Sequence, residues 1–235
     1  MQPAYLARLS QSVQEFVHKV EQDSGLQVEV FGDSALNVAG PLGQGRLEVS
    51  IEPRRLRLFV PTNGYFPDGA VRHEFLHIQR FHVQRVPKLA LASAMRWDQG
   101  IAERLTDIDN ALEHIVIVPL EIELHPERKP HWEEVMADVC GGLRAIPDSE
   151  RRLAVCLHWA FLRYVLPDSP QVQVIQDFMK EHSLSAVAND FADQLLAVLE
   201  SKEEMLRVLA RAFPEIEREG AAMEYLRGLP GNAGS

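Results

Sequence analysis

Three features of the 235-residue chain point to an α+β fold. Apolar and polar residues alternate with a period of two only in short runs before residue 61. A helical period takes over near residue 68 and persists almost to the end. Gly and Pro punctuate the first part densely and the later part sparsely. Together these predict a small sheet followed by a mostly helical region.

The elements follow in order. Residues 5–22 carry an amphipathic pattern and are expected to form one first helix. Residues 26–31 alternate as a half-buried strand does. Residues 45–51 (GRLEVSI) and 56–60 (LRLFV) are the next strands, joined by a turn at 52–55. After the loop 61–67 comes a helix at 68–86, with Val71, Phe75, Leu76, Ile78 and Val83 apolar, Asp68 as N-cap and Pro87 beyond its end. A second long helix spans 97–118, with Ile101, Leu105, Ile108, Leu112 and Ile115 at helical spacing. Pro119 is expected to close it, leaving a short run at 120–124 and a polar, Pro-rich hinge or loop at 125–130. Helices follow at 131–146, 148–166, 170–182, 184–200, 202–213 and 216–229. Ser149, Glu150 and Ser183 stand near helix starts, and residues 231–235 are expected to be disordered. The predicted division is 1–124 as a metal-binding region and 125–230 as a helical region packed on it.

Composition excludes several classes. The formal net charge is −10, which argues against a phosphate backbone as the main partner. Arg54, Arg55 and Arg57 make a local basic patch, read as a hairpin turn with solvated ends. No apolar run approaches the ~20 residues of a membrane span. The first residues lack a signal-peptide pattern, and Cys140 and Cys156 read as core thiols of a reducing compartment, so a cytoplasmic location is expected.

Chemistry is concentrated in His73-Glu74-Phe75-Leu76-His77. On a helix, positions i and i+4 lie about 40° apart, so two imidazoles can reach one metal ion. Glu74 between them can take a proton from a metal-activated water. The pattern predicts a metal-dependent hydrolase with His73 and His77 as ligands, Glu74 as general base and Zn²⁺ as cofactor.

A catalytic zinc needs a third protein ligand and an open position. His82 is rejected: it stands five residues past His77 with no Gly turn between, so a continuing helix points it away. The helix at 97–118 offers Glu113, with Asp109 one turn before it as an acceptor for a ligating imidazole. His114 and Asp107, two turns apart on another face, compete with it, and Asp98 and Glu103 are further options.

On these residues the chain resembles the zincin metallopeptidases. It is distantly similar to the intracellular ImmA/IrrE-type zinc peptidases, in which a third carboxylate precedes an apolar run ending in Pro. Here Ile115-Val116-Ile117-Val118-Pro119 is that run, although Asn110-Ala111-Leu112-Glu113-His114 replaces the pattern usual before it. The resemblance implies a zincin-like sheet with the motif helix and a second ligand helix, the two-His, one-Glu set His73, His77 and Glu113, and a protein or peptide substrate lying along a strand edge. Tyr65, His125, His131 and His158 are candidate donors to the oxyanion. Two other readings stand beside this one. One is a non-catalytic zinc module binding a protein partner through its helical C-terminal region. The other is a hydrolase of a non-peptide substrate. Neither nucleic acid nor membrane is expected as a partner.

Overall fold

The computed structural model describes residues 1–40 and 43–226, and its class is α+β. The chain divides into two compact units. The first holds Met1–Val86, Leu120–His131 and the described residues from Tyr225; the second holds Pro87–Pro119 and Trp132–Glu224. The expected boundary at 124/125 is therefore corrected: the chain leaves the first unit at Val86, returns at Leu120 and leaves again after His131.

In the first unit, β1 (Val28–Asp33), β2 (Glu48–Glu52) and β3 (Arg55–Pro61) form a sheet in the order β1-β3-β2. β1 runs parallel to β3, and β2 runs antiparallel to it across the Glu52–Arg55 turn. Leu56, Leu58 and Val60 alternate into the core, as the period of two requires, together with Val28 and Val30. Against them pack Val13, Val17 and Val20 of α2 (Gln11–Ser24) and Val71, Phe75 and Ile78 of α3 (Asp68–Ile78). The fully buried Val and Leu side chains each contribute about 1.5–3 kcal/mol. The expected first helix is broken into α1 (Pro3–Leu6) and α2, with Ser10 as the new N-cap.

Two expectations for α3 change. Its N-cap is Pro67, which is extended; Asp68 lies in the first turn, and its carboxylate accepts the Ser10 N–H at 3.2 and 3.3 Å. The helix also leaves α geometry early, because Gln79–Val83 form a π segment. Such a segment widens the turn and rephases the side chains beyond it. Here His82 Nε2 donates to the carbonyl of Glu52, the last residue of β2, at 3.1 Å.

In the second unit, β4 (Lys88–Leu91) pairs antiparallel with β5 (Ala221–Glu224). The strand β5 replaces part of the helix expected at 216–229. Gly220 ends α10 (Pro214–Arg218) at φ 93°, a conformation L side chains rarely adopt, and the Met95 side chain lies where a Cβ would stand. The last residues of that expected helix and the expected tail lie outside the described residues. Helices α6 (Asp148–Val165), α7 (Gln171–Glu181), α8 (Ser185–Leu196) and α9 (Lys202–Ala212) make an all-helical core through Trp159, Ile175, Phe191, Leu195 and Leu209.

Helix α4 (Gln99–Leu124) does not stop at Pro119. Proline removes one N–H and crowds the carbonyl of Ile115, at a cost of about 3 kcal/mol. Burial of Ile115, Ile117 and Val118 at 0% exposure offsets it, and the ladder continues with His125 N–H to Glu121 O at 2.8 Å. The extra turns carry the chain from the second unit into the first and deliver Glu121. Helix α5 (Lys129–Gly142) begins inside the stretch expected to be a loop. Among the described residues no helix is long and apolar enough to cross a membrane.

Candidate metal and catalytic site

The motif lies on α3 as expected. His73 and His77 are both buried, one turn apart, with ring centroids 4.9 Å from each other and planes at 81°. Phe81 stacks parallel to the His77 ring at 6.5 Å. Burial of this helix against the sheet sets which face the imidazoles occupy, since Val71, Phe75 and Ile78 claim the core side.

His73 has a partner that sequence reasoning missed. Its Nδ1 lies 2.9 Å from Oε2 of Glu121, whose side chain is wholly buried. Oε1 of the same carboxylate accepts from Arg128 Nε at 2.5 Å, and Arg128 Nη1 donates to the Tyr65 hydroxyl at 3.2 Å. Burial pushes Glu121 up, but His73 and Arg128 outweigh it and hold the carboxyl at about 2. Burial pulls His73 down, and the Glu121 charge and hydrogen bond more than reverse this, so the imidazole sits above its ordinary value. A charge close behind the apolar run 115–118 was a readable signal, because a buried carboxylate requires a paired cation. The expected break at Pro119 hid it.

Glu74 is half-buried, and its carboxylate makes no hydrogen bond or ion pair among the described residues. Burial pushes it up to about 7; the His73 charge opposes this, while Glu121 and Glu48 add to it. The Glu48 contribution ties Glu74 to β2, an edge strand of the sheet.

The other candidates are distributed differently. In the second unit Asp109 and Glu113 share a face of α4, as their spacing predicts, but what they share is Lys202. Its wholly buried ammonium donates to Glu113 Oε1 at 2.8 Å and Asp109 Oδ1 at 2.9 Å. Asp109 Oδ1 also accepts the Leu89 N–H at 3.0 Å. This corrects the roles expected of Glu113 as ligand and Asp109 as acceptor for a ligating imidazole, for both carboxylates are already engaged by the one buried ammonium. Nothing at Asn110–His114 signalled the lysine, which lies 89 residues past Glu113. Asp98 caps α4 through the Ile101 N–H at 3.0 Å, Glu103 accepts from Gln99 at 2.7 Å, and Asp107 is exposed. His114 sits edge-on to Trp132 within the second unit, centroids 5.0 Å apart.

Of the expected oxyanion donors, Tyr65 is engaged by Arg128, and His125 Nδ1 lies 3.2 Å from Glu127. Burial, with Arg128 adding to it, lowers His131 to about 4, and burial lowers His158 to about 4. His158 belongs to α6 of the second unit. Two of the three arginines of the basic patch are paired: Arg55 donates to Glu29 at 2.8 and 3.0 Å, and Arg57 pairs with Glu52. No family model, curated protein or solved structure matches this chain.

Proposed function

We propose that this protein is a zinc-dependent peptidase, with His73 and His77 as ligands and Glu74 as general base. The observation that carries the reading is the hydrogen bond between His73 Nδ1 and Glu121. A ligating imidazole characteristically gives its other N–H to a carboxylate, which fixes its tautomer and ring orientation. Here that arrangement falls on the first histidine of an H-E-x-x-H helix. Glu113, whose carboxylate Lys202 holds, is left out of the ligand set. Neutral imidazoles suit zinc, and a catalytic site keeps one coordination position open for water.

When bound, the ion supplies an activated water and polarises the carbonyl to be cleaved. Glu74, without a hydrogen-bond partner among the described residues and pushed up to about 7, can accept a proton near neutrality and give it to the leaving amine. The antiparallel edge strand β2, next to Glu74, favours an extended peptide, whose backbone adds to a strand edge. The zincin-like character of the sheet-and-α3 arrangement and a cytoplasmic location belong to the same proposal.

Metal analysis of the purified protein is the first test. About one zinc per chain is expected, with none after His73→Ala or His77→Ala. Glu74→Gln should keep the zinc and lose hydrolysis of a quenched peptide library. A wild-type protein without stoichiometric metal would sink the reading.

A further inference from the structure

We infer that Arg128 is a positioning residue for His73, acting through Glu121, and that Gly69 exists to admit it. The inference deepens the zinc reading above and rests on it for its consequence, though its geometry lies entirely within the first unit.

Glu121 must present one oxygen to His73 Nδ1 in a fixed direction. A carboxylate held at one oxygen alone can swivel about that contact. Arg128 supplies the second point: Nε binds Oε1 while Oε2 faces His73, so both ends of the carboxylate are fixed. The guanidinium is itself anchored, since Nη1 reaches the Tyr65 hydroxyl in the loop before α3. Arg128 lies just past the last turn of α4, so the chain Tyr65–Arg128–Glu121–His73 ties the entry of α3 to its own second turn. Residues this buried have little freedom to adopt another arrangement; Arg128 is 7% exposed and His73 7%.

Gly69 is the second, independent observation. It is buried in the first turn of α3, and a Cβ there would lie 2.5 Å from Arg128 Cγ and 2.9 Å from Cδ. Glycine in a helix is less favourable than alanine, and nothing about its φ requires it here. The space it leaves is filled by the Arg128 stem. The glycine therefore gives passage to that side chain, and Gly69→Ala displaces Arg128 without altering any charged group.

Two readouts separate this inference from the metal reading. In metal-free protein, nitrogen NMR of the histidine rings should find His73 as the Nδ1–H tautomer with a strong hydrogen bond in the wild type. That signature should weaken in Arg128→Met and also in Gly69→Ala, while Arg128→Lys restores only part of it. Zinc affinity, measured by chelator competition, should fall about 10- to 100-fold in the same variants, the loss typical of removing an outer partner of a ligand. If Arg128→Met and Gly69→Ala leave the His73 signature unchanged in folded protein, the inference is overturned. A wild type that shows the signature but binds no zinc overturns the metal reading and leaves the positioning role standing. Should Arg128→Met not fold, Gly69→Ala and Arg128→Lys decide the question.

Discussion

Replacing Lys202 with methionine puts the corrected role of Glu113 to a quantitative test. Methionine keeps the unbranched stem and removes only the ammonium. Two buried carboxylates then lose the ammonium they share, Asp109 at 5% and Glu113 at 0% exposure. Hydrogen bonds to charged groups contribute about 1.5–3 kcal/mol each, so the contacts at 2.8 and 2.9 Å together set about 3–6 kcal/mol. Breaking a buried ion pair by removing one partner costs about 3–5 kcal/mol by a separate route, and the two ranges agree near 4. A domain commonly has about 5–15 kcal/mol in all, so the variant should fold with a much lower urea midpoint. The companion is Lys202→Met, Asp109→Asn, Glu113→Leu. It removes all three charges yet keeps an acceptor for the Leu89 N–H, and should recover to within about 1 kcal/mol of wild type, since apolar replacement of a whole buried ionic cluster is often neutral. Urea unfolding at pH 7, followed by far-ultraviolet circular dichroism, measures both. A Lys202→Met loss below about 1 kcal/mol would refute the assignment and return Glu113 to the candidate ligands.

Three further outcomes are expected. Glu113→Leu combined with Lys202→Met should leave zinc affinity within about threefold of wild type, because Lys202 and not a metal holds that carboxylate; chelator competition measures it, and a larger loss would return Glu113 to the candidate ligands. In chelated protein the raised Glu74 carboxyl, at about 7 against an ordinary 4.5, binds its proton more tightly folded than unfolded. Its favourable contribution is complete below about 4.5 and is lost as pH rises to about 7, so Glu74→Gln should lose less stability over that window than wild type; parallel curves would refute it. Cys140 and Cys156, pushed up by burial to about 11 and about 12, should resist a thiol reagent at pH 8 in native protein and react together once it is unfolded. Rapid labelling of either in the native state would contradict their burial.

Much of this protein is legible because local rules decide it. The alternation of Leu56, Leu58 and Val60 fixes both a strand and its buried face, and the spacing of His73 and His77 fixes two imidazoles on one side of a helix. Asp109 and Glu113 share a face for the same reason. These are properties of periods of two and 3.6, which need no partner to be read.

Partner identity is different, because it depends on what distant chain brings to that face. The carboxylates of Asp109 and Glu113 meet an ammonium from residue 202, and His73 meets a carboxylate from residue 121. Pro119 marks the limit most clearly. Its local chemistry ends a helix, but burial of Ile115, Ile117 and Val118 outweighs the lost hydrogen bond and carries α4 on to Glu121. Gly220 sets a strand where periodicity alone continues a helix. The sequence by itself determined an α+β chain with an H-E-x-x-H helix behind a small sheet. Only the tertiary structure decided which charges neutralise one another, because Coulomb attraction in a buried site acts between neighbours in space whatever their separation along the chain.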